Sequence, residues 1–181
     1  MIHRKQRRRQ AVSALVVTAI AFGVVALGIG AIGLGAASSH TITVDADGGA
    51  DYASIQAAVD SATSGSTIEV QSGTYRESVA VDKTITIVAP NGATLNGSGL
   101  SGSPFGFVVS GQAAPDISGF TITGYSQGFN AQEASGDWTL SDSTVKNNSF
   151  GAIRADGSSG DWTIEDSVIR DGLNDAVDAH D

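Results

Sequence analysis

Cysteine is absent from all 181 residues. No disulfide can hold this fold, so a chain that leaves the cytoplasm must rest on its own hydrogen-bonded core. Basic residues are scarce beyond residue 40. Only Arg76, Lys83, Lys146, Arg154 and Arg170 stand there against all 19 acidic residues, a balance of −14 over 41–181. Nucleic-acid binders draw affinity from Lys and Arg that neutralise phosphates, so this balance excludes that partner class. Also missing, downstream of residue 62, is any run of ten or more residues with apolar side chains at i, i+3 and i+4. Helical and leucine-rich repeats are excluded with it.

What is present begins with a strongly asymmetric N-terminus. Arg4, Lys5, Arg7, Arg8 and Arg9 precede an uncharged stretch, residues 11–37, of mostly Ala, Val, Ile, Leu and Gly. As a helix it reaches roughly 40 Å, enough to cross a hydrocarbon core of about 30 Å. The basic flank keeps that end cytoplasmic, so residues 41–181 are expected outside. Gly35-Ala36-Ala37-Ser38 resembles a cleavage site, whereas the length of the stretch favours a retained membrane anchor. Residues 1–40 are therefore a signal peptide or an anchor. Arg8-Arg9-Gln10-Ala11-Val12 resembles a twin-arginine export signal without its bulky residue. So acidic and lysine-poor a surface resembles that of secreted proteins of extreme halophiles, which hold water against molar salt.

The exported part repeats itself. SGDWTLSDSTVKNN at 135–148 returns as SGDWTIEDSVIRDG at 159–172, a period of 24 residues. In that register Trp138 falls on Trp162, Leu140 on Ile164, Asp142 on Asp166, Val145 on Ile169, Ile153 on Val177 and Ala155 on Ala179. A fainter copy places Ile117, Phe120, Ile122 and Phe129 like Leu140, Ser143, Val145 and Ile153. Such periods mark stacked units that cannot bury their apolar side alone. Within a copy, apolar residues alternate in short β-rich bursts separated by Gly, Asn, Asp and Ser, which reads as strands and turns. The expected fold class is all-β: a right-handed, single-stranded parallel β-helix over residues 41–181, with three short strands per coil of about 24 residues and five to six coils. One segment has helical spacing. Ile55, Ala58, Val59 and Ala62, with Ser54 as cap, predict a short helix that closes the first coil.

From that helix onward the chain reads SIQAAVDSATSGSTIEVQSGTYRESVAVDKTITIV. This resembles the opening of pectin-lyase-like parallel β-helix proteins, with their helix, first strand, Gly-Thr-Tyr-x-Glu turn and following strand. The resemblance spans residues 44–181. It implies sugar polymers lying along the outer face of one sheet, with chemistry from clustered Asp, Arg or Lys and sometimes calcium. It does not choose among esterases, lyases, epimerases and non-catalytic surface proteins. Copper-delivery relatives of the fold imply Met and His ligands, and 41–181 holds no Met and, apart from His180, no His.

Candidate chemistry follows from the register. With Ile153, Ala155, Val177 and Ala179 inward, Arg154, Asp156, Asp178 and His180 point outward as a catalytic candidate set: carboxylates, a guanidinium and an imidazole on one face. The alternative is a structural ion-paired row of little energetic weight. Residues 171–178 also resemble the aspartate motifs of polygalacturonase-like hydrolases, although tight turns select the same residues. Asp137 over Asp161 and Asp142 over Asp166 are candidate metal ligands. At about 5 Å in water such a pair repels by only roughly 0.8 kcal/mol, and molar salt screens most of that, so no metal is required and Ca²⁺ is the alternative. Trp138 and Trp162 are candidate sugar platforms. Parity favours an internal stack instead, because each shares the side of the inward aliphatic two residues on. Asn96 and Asn147 head N-x-Ser glycosylation patterns.

The expected function is an exported, surface-associated module that interacts with carbohydrate, or alternatively a polysaccharide-active enzyme or its N-terminal part. Asp181 follows a turn with no polar or helical cap over the last coil. Truncation, or self-association through that coil, is the expectation it raises.

Overall fold

Threonine and branched aliphatics recur in triplets such as Thr41-Ile42-Thr43, Thr67-Ile68-Glu69 and Thr86-Ile87-Val88, and each triplet is a strand whose middle residue is buried. The computed structural model describes residues 40–170 and 177–178. The 11–37 stretch, residues 171–176 and His180 lie outside the described residues. Among the described residues no helix is long and apolar enough to cross a membrane.

The chain winds as a parallel β-solenoid of about six turns. β1 (Thr41–Val44) and α1 (Ile55–Ser61) open it, followed by β2 (Thr67–Val70), β3 (Thr74–Tyr75) and β4 (Val79–Val81) in the second coil. The third coil carries β5 (Thr86–Asn96) and β6 (Phe105–Val109), and the fourth β7 (Asp116–Thr123) and β8 (Gln127–Asn130). β9 (Trp138–Ser141), β10 (Thr144–Lys146) and β11 (Gly151–Arg154) form the fifth. β12 (Trp162–Glu165), β13 (Val168–Ile169) and β14 (Val177–Asp178) form the sixth. Three strands per coil is the rule, except that β5 and β7 run through the first corner, β5 with an irregularity between Val88 and Ala93.

From the second coil on there are three faces, and on each the inward residues stack in register. Face I carries Ile42, Ile68, Ile87, Ile117, Leu140 and Ile164. Face II carries Tyr75, Leu95, Ile122, Val145 and Ile169. Face III carries Val79, Phe107, Phe129, Ile153 and Val177. The repeat register expected from sequence is thus observed at Trp138/Trp162, Leu140/Ile164, Val145/Ile169 and Ile153/Val177, and the fainter copy at Ile117/Leu140, Ile122/Val145 and Phe129/Ile153. Parallel neighbours lie about 4.8 Å apart, so each ladder is a continuous apolar seam.

Corners need a backbone that turns sharply. At the corner between faces I and II the residue is Gly119 (φ 83°), Asp142 (φ 48°) or Asp166 (φ 48°) in successive coils. Between faces II and III it is Gly124 (φ 76°) or Asn147 (φ 53°). Left-handed backbone favours Gly, and Asp or Asn tolerate it best among the others. Serines complete the first corner. Ser143 Oγ accepts from Phe120 N at 3.2 Å and donates to Ser141 O, and Ser167 Oγ accepts from Ser143 N at 3.1 Å.

Helix α1 has Ile55, Ala58 and Val59 buried, and Ser54 Oγ accepts from Ala57 N at its start. A second cap comes from far along the chain. The Glu77 carboxylate accepts from Ile55 N at 2.9 Å and Gln56 N at 2.8 Å. The Gly-Thr-Tyr-x-Glu segment is thereby explained. Tyr75 is buried with its hydroxyl donating to Gln71 O, and two residues later Glu77 satisfies amide donors that the first helical turn leaves open.

Candidate functional site

On face III the outward positions pair as Asn130, Arg154 and Asp178 in register. Arg154 Nη2 lies 3.1 Å from Asp156 Oδ2, in the turn two residues past the end of β11, with both side chains about one-third exposed. The structure places Arg154 and Asp178 at one register position on face III, with Asp156 in the turn that follows β11. His180 is outside the described residues. The clefts at the solenoid corners are lined by other residues.

Trp138 and Trp162 stack at 5.7 Å between centroids with 10° between planes. Trp138 is only 1% exposed, and its other side meets Phe129 at 4.7 Å. Phe129 continues to Phe107 and Phe107 to Phe120, so the indoles extend an aromatic column inside the coil. A sugar-stacking role for Trp138 is corrected by that burial. Trp162 is 38% exposed.

The paired aspartates take backbone roles. Asp161 N donates to Asp137 Oδ1 at 2.8 Å, so this carboxylate splices one coil to the next. Asp142 and Asp166 occupy the left-handed corner described above. Among the described residues no three His, Cys, Asp or Glu side chains gather as a metal site. At the glycosylation patterns, Asn96 Oδ1 accepts from Ser98 N at 2.9 Å in a local turn, while Asn147 is exposed at the second corner.

Two outward rows line face II. One is Thr74, Thr94, Thr121, Thr144 and Val168. In the other, Asn96, Thr123 and Lys146 are in register, Arg76 precedes them by continuing Tyr75/Leu95, and Arg170 follows by continuing Val145/Ile169. None of these ten positions is acidic. Beside the second row, at the corner toward face III, lies a cleft of about 300 Å³ lined by Ser98, Leu100, Tyr125, Ser126, Asn147 and Ser149 among others. Gly97 makes it possible, since a Cβ there would fall 2.4 Å from the Tyr125 ring. Arg76 Nη1 donates to Ser98 O at 3.1 Å on its rim. Lys146 and Arg170 stand 24 residues apart, in the register of the repeat, whereas Arg76 lies outside it, because coils three and four have other lengths.

Perturbed groups are few. Burial, and secondarily the Glu77 charge, pushes the Tyr125 phenol well above its ordinary range; its hydroxyl donates to Glu77 O. Burial likewise raises Tyr75. Hydrogen bonds from Thr43 N and Thr43 Oγ1, both 2.8 Å, lower the Asp51 carboxyl. These groups sit in the helix-capped end and the coil interior, and serve the fold. Compared with family models, curated proteins and solved structures, the chain has no match in any of the three.

Proposed function

We propose that this chain is an exported, surface-associated parallel β-helix module that holds linear polysaccharide against its flat faces without cleaving it. The observation that carries this reading is the outward row on face I. Thr41, Thr67, Thr86, Asp116, Thr139 and Thr163 stack coil upon coil. Five hydroxyls and one carboxylate are offered at a spacing of about 4.8 Å along the axis. A polymer of hydroxylated rings running parallel to that axis meets an acceptor at every coil and a donor at every coil but that of Asp116. The resemblance of residues 44–181 to pectin-lyase-like proteins, whose ligands run along a sheet face, supports the same orientation. The apolar stretch at 11–37 with its basic flank supports export.

A second reading draws support from face III, where Arg154 and Asp178 are in register and Asp156 pairs with Arg154. As an enzyme, the chain would use Asp156 or Asp178 to move a proton while Arg154 holds a uronate. One experiment separates the two. The full chain, held in mild detergent, is incubated with pectin and alginate at low and molar salt, with and without calcium. Retention of polymer with unchanged chain length is expected. Unsaturated ends or released methanol would establish the enzyme, and no retention would end the binding reading.

A further inference from the structure

We infer that the second row of face II, with the cleft beside it, is a binding strip for a linear polyanionic glycan. This deepens the polysaccharide reading and rests on it. The argument starts from scarcity. Beyond residue 40 the chain has five basic residues against 19 acidic ones. Two of the five are held elsewhere. Lys83 Nζ donates to Val59 O and Asp60 O at the end of α1, each at 2.9 Å, and Arg154 is paired with Asp156. The other three, Arg76, Lys146 and Arg170, all fall in one row.

Lys146 is the informative member. Its ammonium makes no hydrogen bond or ion pair among the described residues, in a protein with a large surplus of carboxylates. Arg76 uses Nη1 on Ser98 O, which holds the guanidinium at the rim of the cleft with further N–H donors left in its planar fork. Between them stand the neutral side chains Asn96 and Thr123, in register. Arg76 and Lys146 are three coil steps apart, about 14 Å at roughly 4.8 Å per step. The acidic corner residues Asp142 and Asp166 precede the threonine row, on the far side of the face. A strip of cations and hydroxyls parallel to the axis, free of acidic positions, complements a chain that carries oxyanions at intervals and hydroxyls between them. Carboxylate and sulfate esters share that chemistry. The cleft, lined by Ser98, Ser126, Ser149 and Asn147, accepts a ring or branch that leaves the strip.

The test uses the full chain in detergent and three probes: a carboxylated glycan (polygalacturonate), a sulfated one (dextran sulfate) and neutral dextran. Affinity electrophoresis compares the native protein with Arg76→Gln/Lys146→Gln. The charge control, Ser64→Asp/Ser159→Asp, places the same change in net charge on exposed residues away from face II. Each exposed cation is expected to contribute about three-fold, so the double variant weakens polyanion binding about ten-fold. The control changes it less than about two-fold, and Arg76→Lys/Lys146→Arg retains it. The preferred polyanion tells carboxylate from sulfate. Equal retention of all three probes by native and double-variant protein would overturn the strip and leave the polysaccharide reading standing. Failure to retain any probe would overturn both.

Discussion

Phe129→Ala is the most informative single perturbation of the solenoid. The ring is 0% exposed, sits in register between Phe107 and Ile153, and lies 4.7 Å from Trp138 and 6.3 Å from Phe107. Truncating such a ring costs about 3–5 kcal/mol, transfer and cavity terms together, because rigid strands on three sides cannot close the gap. Domains of this size hold roughly 5–15 kcal/mol in all. The loss thus takes a fifth or more of the margin and lowers Tm by about 12–20 °C at roughly 4 °C per kcal/mol. Thermal unfolding followed by tryptophan fluorescence reads it directly, since Trp138 reports from the neighbouring position. Thr139→Ala, on the outward side of the next coil's strand, is the comparison, and it should cost less than about 1 kcal/mol. Equal costs for the two variants would refute the aromatic column.

Removing the long-range cap, by Glu77→Ala, should cost about 1–3 kcal/mol and speed hydrogen exchange at Ile55 and Gln56; unchanged exchange there would contradict the capping role. Because burial holds the Tyr125 and Tyr75 phenols protonated above their ordinary value, stability should be level below about pH 10 and fall as pH rises beyond it, where only the unfolded chain ionises readily. Tyr125→Phe should flatten that fall, as urea midpoints at pH 9 and 11 would record. Asp51, lowered by its Thr43 hydrogen bonds, acts in the opposite sense: its contribution is present above the ordinary carboxylate value and is lost as pH drops through the lowered one, a titration that NMR of the side chain can follow. Asp142→Gly and Asp166→Gly should be tolerated, because the left-handed corner suits glycine, whereas Asp142→Val should cost about 1–3 kcal/mol; a calcium-dependent rise in Tm that Asp142→Gly abolishes would overturn the turn role.

Much of the solenoid was legible because stacking makes like residues equivalent. Trp138 and Trp162, or Val145 and Ile169, repeat in sequence for the same reason that they touch in space. The helix was legible from Ile55, Ala58, Val59 and Ala62 because one buried stripe suffices to define it. Positions set by contacts between coils of unequal length were harder to read. Arg76, Asn96, Thr123 and Lys146 form one row at spacings of 20, 27 and 23 residues, since the loop after β5 lengthens one coil. The role of Glu77 was hidden likewise, because its partners are amides more than twenty residues upstream. Asp142 and Asp166 carried a readable signal that charge obscured: Gly119 occupies the same corner one coil earlier.

Because the chain lacks cysteine, spin labels report only from introduced sites. Thr41→Cys paired with Thr139→Cys, and then with Thr163→Cys, lie four and five coil steps apart along one row. Double electron–electron resonance should give backbone separations of about 19 and 24 Å, an increment of one strand spacing per coil. Distances that fail to grow by that increment would contradict the in-register stacking on which every face and row depends.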